Sequence, residues 1–516
     1  MAIKDTFIAD IAEGYNFKGE SIALGAAMLN GEVVEGTMIS APLRMFNRHG
    51  LISGATGTGK TKTLQALAEQ LSNKGVPVLL MDIKGDLSGI AKPGVSNAKI
   101  EERHQKIDIP FVPAGNSVEF LSLSNEKGAR LRATVTEFGP VLFSRLMEMT
   151  DAQTGILSVI FQFCDDKKIP LIDLDDLRKT IQYITDIGKA EIEERYGSIP
   201  TVSAGNILRD IVELEQQKAG MFFGELSFDV HDLLRFDAQG RGMISIVRLT
   251  DIQDRPKLFS TFMMQLLAEV YATFPEAGDP DKPKLVLFID EAHLVFDEAS
   301  DALLDQIEVI IKLIRSKGVG VFFVTQNPVD VPDSVLGQLG MKIQHALRAF
   351  TAKDRKAIKL AAENFPSSDF YDVDQILTEM GIGEALVTVL NEKGIPAPLA
   401  HTMLRAPGSR MDVLAASEID EMVNRSELVR KYAQELNRES AYEILGRKMD
   451  AAHDVEEQAA REKELEKANQ ASNRTQKGQR SFIEDIMRNP TTRQVTNTIA
   501  KELTRGLLSI LGIKRR

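Results

Sequence analysis

A single cysteine, Cys164, in a chain of 516 residues excludes an internal disulfide and a multi-cysteine metal site. It reads as a small core hydrophobe, with a reactive thiol as the alternative. Long apolar runs are missing too. Nowhere do about 18 apolar residues follow one another, and the first ten residues, MAIKDTFIAD, have neither the basic start nor the apolar stretch of a secretory signal. A cytoplasmic protein is expected. Basic charge is in deficit, at a net −12, which excludes a protein that coats duplex DNA with its whole surface, because such binding needs clustered Lys and Arg to displace counterions. Any contact with nucleic acid has to be local. No internal repeat is found.

What is present is an ordinary globular composition, 43% apolar and 26% charged, long enough for two or three domains. Residues 1–45 carry a turn signal at Asn30-Gly31 and read as a short β segment. From His49 onward, short apolar runs alternate with amphipathic stretches of helical length, which predicts an α/β core with a mostly parallel sheet over 46–121 and 240–406. Candidate strands are 50–53, 76–82, 242–249, 284–290, 318–325, 342–347 and 384–390. Between 122 and 239 the pattern turns helical, as an all-α insertion would, and 407–470 reads as a helical C-terminal region. Residues 471–516 hold ten basic and three acidic side chains, a charge of +7 that leaves −19 on residues 1–470. Their first part, 470–480, is rich in Asn, Ser, Gln and Lys and reads as a flexible linker.

The segment LISGATGTGKTKTL fits G-x-x-x-x-G-K-[ST], with an apolar strand before it and a helix-forming run after it. Gly54, Ala55, Thr56, Gly57, Thr58, Gly59, Lys60, Thr61 and Lys62 are therefore candidate nucleotide-binding residues. Glycine is needed because the backbone must bend with its N–H groups inward, where a side chain would block phosphate oxygens. Lys60 would meet the β and γ phosphates, and the Thr61 hydroxyl would ligate Mg²⁺. The helix N-terminus that follows favours negative charge. A Gly-rich turn with a solvated lysine is the bland alternative.

In KLVLFIDEAHLVF, five apolar residues run into Asp290 and Glu291, as a buried strand delivering two carboxylates to its carboxyl end would. Asp290 would hold the Mg²⁺ shell, and Glu291 would polarise the attacking water. An N-capping Asp-Glu pair is the alternative. His293 reads as structural or catalytic, and no second His or Cys at ligand spacing supports zinc. In GVGVFFVTQNP a further strand brings Gln326 to the same edge, within reach of the γ-phosphate or its water. The preceding helix runs back to the opposite edge, so Arg315 cannot serve its own ATP. It is either a finger for a neighbouring subunit or an ordinary cation at a helix C-terminus. ATP and Mg²⁺ are the expected cofactors. A phosphotransferase fits less well, since Glu291 and Gln326 both suit water.

Together, NRHGLISGATGTGKT, MDIKGDLSG, LFIDEAH, LIRSKGVGVFFVTQNP and the ALRAF segment resemble the HerA-FtsK group of RecA-like P-loop ATPases, most closely its bacterial HerA-like helicases, over about residues 20–410. The resemblance implies a ring-forming, often hexameric motor that translocates DNA or, in some branches, protein. It matches Lys60 and Thr61 to Walker A, Asp290 and Glu291 to Walker B, Gln326 to the polar sensor and Arg315 to the trans-acting arginine. Asp82, Lys84 and Asp86 match a charged turn beside the P-loop, where Asp86 would orient Lys60 or a water, or the turn is simply solvated. Arg348 and Arg410 are weaker candidates for a subunit junction or the nucleotide base. Residues 1–45 are too few for the β-barrel of archaeal HerA, and no winged helix is evident. An ATP-switched assembly protein acting on a protein partner is the rival reading.

In the tail, Val495, Ile499, Leu503 and Leu507 recur every four residues, with Arg493, Lys501 and Arg505 on other faces. Such a helix can dock on a protein partner, touch an acidic membrane surface or grip phosphates, or fold back on the acidic body.

Overall fold

The computed structural model describes residues 3–253, 255–278, 280–296, 301–348, 351–434, 436 and 438–487. The tail helix expected over 495–507 lies outside them, as do Ala349 and Phe350 of the ALRAF segment. The chain divides into two compact units, 1–444 and 445–516.

The first unit is built on twelve strands among the described residues. They are β1 Ser21–Leu29, β2 Glu32–Pro42, β3 Gly50–Ser53, β4 Val78–Asp82, β5 Val118–Ser122, β6 Ala129–Arg130, β7 Ile244–Arg248, β8 Leu285–Ile289, β9 Val319–Thr325, β10 Met341–Gln344, β11 Glu384–Thr388 and β12 Ala400–Leu404. They form one sheet in the order β2-β1-β12-β11-β10-β3-β9-β8-β4-β7-β5-β6. From β10 to β6 every neighbouring pair is parallel, and β11, β12, β1 and β2 add an antiparallel flank. The α/β class and mostly parallel sheet expected from the sequence are those observed. Every residue of β8 and of β9 is buried, which is why both read as unbroken apolar runs. The helix α2, Lys60–Asn73, lays Leu64, Leu67, Ala68 and Leu71 against the sheet at helical spacing.

The N-terminal segment departs from the expectation of strands alone. A helix α1, Ile3–Gly14, comes first and buries Phe7 and Ile11, one turn apart. The Phe7 ring meets Phe370 edge-on at 5.2 Å and Tyr371 at 6.0 Å. Ile3, Phe7, Ile8 and Ile11 recur at helical spacing, so the sequence does carry a helix signal here, one that the expectation of strands left aside. The Asn30-Gly31 turn does join β1 to β2, with both residues at positive φ, 53° and 79°.

Between β6 and β7 the chain forms the helices Val135–Leu146, Asp151–Lys167, Leu174–Thr185, Lys189–Tyr196 and Thr201–Gln216. Cys164 is buried there, and burial raises its thiol pKa to about 12, so it behaves as a core hydrophobe. β5, which precedes this stretch as the mixed run VEFLS, and the two-residue β6 were not foreseen, because neither forms the unbroken apolar run that marks the other parallel strands. After β12 come the helices Ala416–Arg425, Glu427–Tyr432 and Ala441–Met487. Residues 470–480, expected as a linker, fall within the last of these. Their Ala, Gln, Lys and Arg are good helix formers, and Asn and Ser oppose a helix by only a few tenths of a kcal/mol each. No helix among the described residues is long and apolar enough to cross a membrane.

Candidate nucleotide site

β3 ends at Ser53, and the chain turns through residues 54–59 into α2. Gly54 takes φ +148° and Gly59 φ +115°, conformations that side chains rarely adopt. A Cβ on Gly54 would stand 2.5 Å from the Cβ of His345, so the loop can pass the end of β10 only with glycine there. Neighbouring strands pin the loop: Gly54 N donates to Thr325 O (3.3 Å), Ala55 N to Ala346 O (2.8 Å) and Gly383 N to Thr58 O (2.9 Å). The Thr58 hydroxyl donates to Ala55 O (2.7 Å). Behind the loop the buried His345 meets Thr63 Oγ1 through Nε2 at 3.0 Å.

Lys60, the first residue of α2, is buried, and its ammonium donates to Gly54 O (2.6 Å) and Ala55 O (3.2 Å). Burial, and next the nearby charge of Lys84, hold its pKa below the usual lysine range, against the pull of Glu291 and Asp290. Backbone carbonyls are weak partners for an ammonium, and a phosphate would be a stronger one. Thr61 follows on the first turn, partly exposed. Lys62 is directed elsewhere: its ammonium donates to Met411 O and to Gln65 Oε1 (3.4 Å).

β8 delivers Asp290 and Glu291 to the same carboxyl edge. Asp290 is 3% exposed, and among the described residues its buried Oδ2 has no hydrogen-bond partner. Burial first, and then the charge of Glu291, raise its pKa to about 7. An orphaned carboxylate oxygen of this kind fits a cation, which would remove the cost of ionising it. Glu291 has φ +48° and a side chain only 6% exposed, ion-paired with Lys84 and 3.2 Å from His293 Nδ1.

Lys84 comes from the turn after β4, which Asp82 shapes. Its carboxylate accepts from Gly85 N (2.7 Å), Asp86 N (3.1 Å) and Leu87 N (3.2 Å). The turn is therefore more than a solvated one. Within it Lys84 reaches Glu291.

β9 lies between β3 and β8 and ends at Thr325, so Gln326 sits beside the loop, where Thr56 Oγ1 donates to its Oε1 at 3.4 Å. A cavity of about 460 Å³ opens here, bordered by Thr56, His293, Gln326, Asn327 and Arg348. Arg348 donates to Thr378 O at 2.9 Å. Arg410 is committed to Glu418, at 2.7 Å, away from this cavity's lining.

Arg315 stands apart from all of these. It lies in a single 3₁₀ turn, Arg315–Lys317, before β9, at the amino edge of the sheet. There it neighbours the buried His49, whose pKa falls to about 4, chiefly through burial and with Arg315's charge adding to the shift.

The family model described as helicase HerA-like C-terminal matches residues 28–516. The chain is 20% identical over 359 residues to the DNA double-strand break repair helicase HerA of Sulfolobus acidocaldarius, covering 68% of this chain and 65% of that protein. It is 24% identical over 370 residues to the DNA import protein CedB of the same organism, covering 69% of this chain and 52% of that one. It thus spans less than two thirds of either relative. Among solved structures, the plasmid coupling protein TrwB in complex with ADP and Mg²⁺ matches with a TM-score of 0.49 at 16% identity, covering 77% of this chain and 99% of that one.

Proposed function

The chain belongs to the helicase HerA-like C-terminal family, and from that premise we propose that it is a Mg²⁺-dependent ATPase working as an oligomeric motor on DNA. One observation carries the reading. The Gly54–Thr61 loop, Asp290, Glu291 and Gln326 share the carboxyl edge of three adjacent strands, while Arg315 lies at the opposite edge.

The inward N–H groups of the loop and the Lys60 ammonium would bind the phosphates of ATP. Mg²⁺, held by the Thr61 hydroxyl and Asp290, would supply charge neutralisation between the β and γ phosphates. Gln326 would orient a water, and Glu291 would take its proton as the water oxygen attacks the γ-phosphorus. The bond to the β–γ bridging oxygen then breaks, and its electron pair leaves with ADP. Arg315, which cannot reach its own loop, would stabilise the γ-phosphate of a neighbouring copy, a contribution of about 10³–10⁵ in rate. A homo-oligomeric ring supplies that neighbour.

The test is phosphate release with and without DNA, paired with particle mass in MgATP. Stimulation by DNA and a closed oligomer support the motor, and a monomer indifferent to both ligands overturns it. One observation favours a second reading: the charge of −19 on residues 1–470 is ill suited to a polyanion. An ATP-switched assembly protein would show turnover that responds to a protein partner and ignores DNA.

A further inference from the structure

The ion pair between Lys84 and Glu291 sets two functions of one carboxylate against each other. A carboxylate oxygen held against an ammonium is not presented to a water, so Lys84 and the attacking water compete for Glu291. The pair is also built in. Three backbone N–H groups converging on Asp82 fix the turn that carries Lys84. Glu291 is almost wholly enclosed, whereas the Lys84 side chain is 40% exposed to solvent. The charge of Lys84 helps to lower the pKa of Lys60, so the two side chains are close enough to interact. A terminal phosphate brought to Lys60 carries more charge than Glu291 and offers three acceptor oxygens.

Taking the ATPase reading as given, we infer that Lys84 is a positioning residue that gates Glu291. It restrains the carboxylate in the ion pair, then moves to the terminal phosphate of a nucleoside triphosphate and leaves Glu291 to the attacking water. The gate answers to the phosphate that distinguishes ATP from ADP.

The experiment compares wild type, Lys84→Met, Lys84→Gln and Lys84→Arg in binding Mg²⁺ with a non-hydrolysable ATP analogue or with ADP, and in steady-state hydrolysis. The preference for the analogue over ADP should fall roughly tenfold in Lys84→Met and Lys84→Gln, with ADP affinity kept. KM should rise by a similar factor without a fall in kcat, and Lys84→Arg should restore the preference. Having both neutral variants guards against one failing to fold. An unchanged preference, an equal loss for both nucleotides, or a fall in kcat at constant KM overturns the gate while leaving the ATPase reading intact. A wild-type protein that binds neither nucleotide overturns that reading, and the gate with it.

Discussion

Arg315 and Lys60 sit at opposite edges of the same sheet. Lys60 follows the carboxyl end of β3, Arg315 precedes the amino end of β9, and the two strands are parallel neighbours, with Ser53 beside Thr325. The seven residues of β9 separate those edges by about 20 Å. No side chain spans that distance. Arg315→Ala should therefore bind ATP normally and lose turnover. Mixed with Lys60→Ala subunits it should recover part of it, because each variant supplies what the other lacks at a shared site. Mixtures no more active than their components would remove the trans role.

Lys60 and Glu291 should fail in different ways. Lys60→Ala should abolish nucleotide binding, since on the proposed reading its ammonium would contact the phosphates of ATP and ADP alike. Glu291→Gln should keep binding and lose about 10²–10⁴ in turnover, trapping ATP. Equilibrium binding and single-turnover phosphate release separate the two.

The loop glycines also divide. Gly54→Ala would press a Cβ to 2.5 Å from His345 and should destabilise the fold by about 1–3 kcal/mol. Gly57, at φ +79°, has nothing within 4 Å of its Cβ position. Gly57→Ala should therefore lower stability by no more than about 1–2 kcal/mol, the strain of a left-handed residue, while impairing nucleotide binding. Urea denaturation of both variants, with and without MgATP, checks the contrast.

Two buried imidazoles each make stability fall with acid. His345 is depressed to about 3, by burial and then the charge of Lys60, and His49 to about 4. The unfolded chain takes up protons near pH 6.5, while the folded chain refuses them down to those lower values. Their contribution to stability is thus full above about 6.5 and is lost as pH falls toward 4, by about 1.4 kcal/mol per unit for each histidine, while the buried Asp290, raised to about 7, and Asp82, raised to about 6, contribute with the opposite sign over the same range. The difference in urea-derived stability between wild type and His345→Gln at pH 7, 6 and 5 should therefore show the slope of one histidine.

The phosphate loop was legible because its chemistry is local: glycines, a lysine and a hydroxyl in consecutive positions between a strand and a helix. The edge reached by Asp290, Glu291 and Gln326 was legible too, since each ends a fully buried apolar strand. The contacts that tune the site were not. Lys84 meets Glu291 across a long stretch of sequence, and His345 backs the loop from β10, because β4 adjoins β8 and β10 adjoins β3. Parallel strands joined by long crossovers leave no trace of that order in local pattern. Lys62 illustrates the same limit, since a segment about 350 residues further along the chain takes up its ammonium.

The central claim is that this site hydrolyses the β–γ phosphoanhydride bond of ATP, and phosphate release from purified protein with MgATP and no added acceptor tests it most directly. The account predicts multiple turnovers that vanish in Lys60→Ala. Release that persists undiminished in that variant, or none at all from wild type at saturating MgATP and DNA, would contradict it.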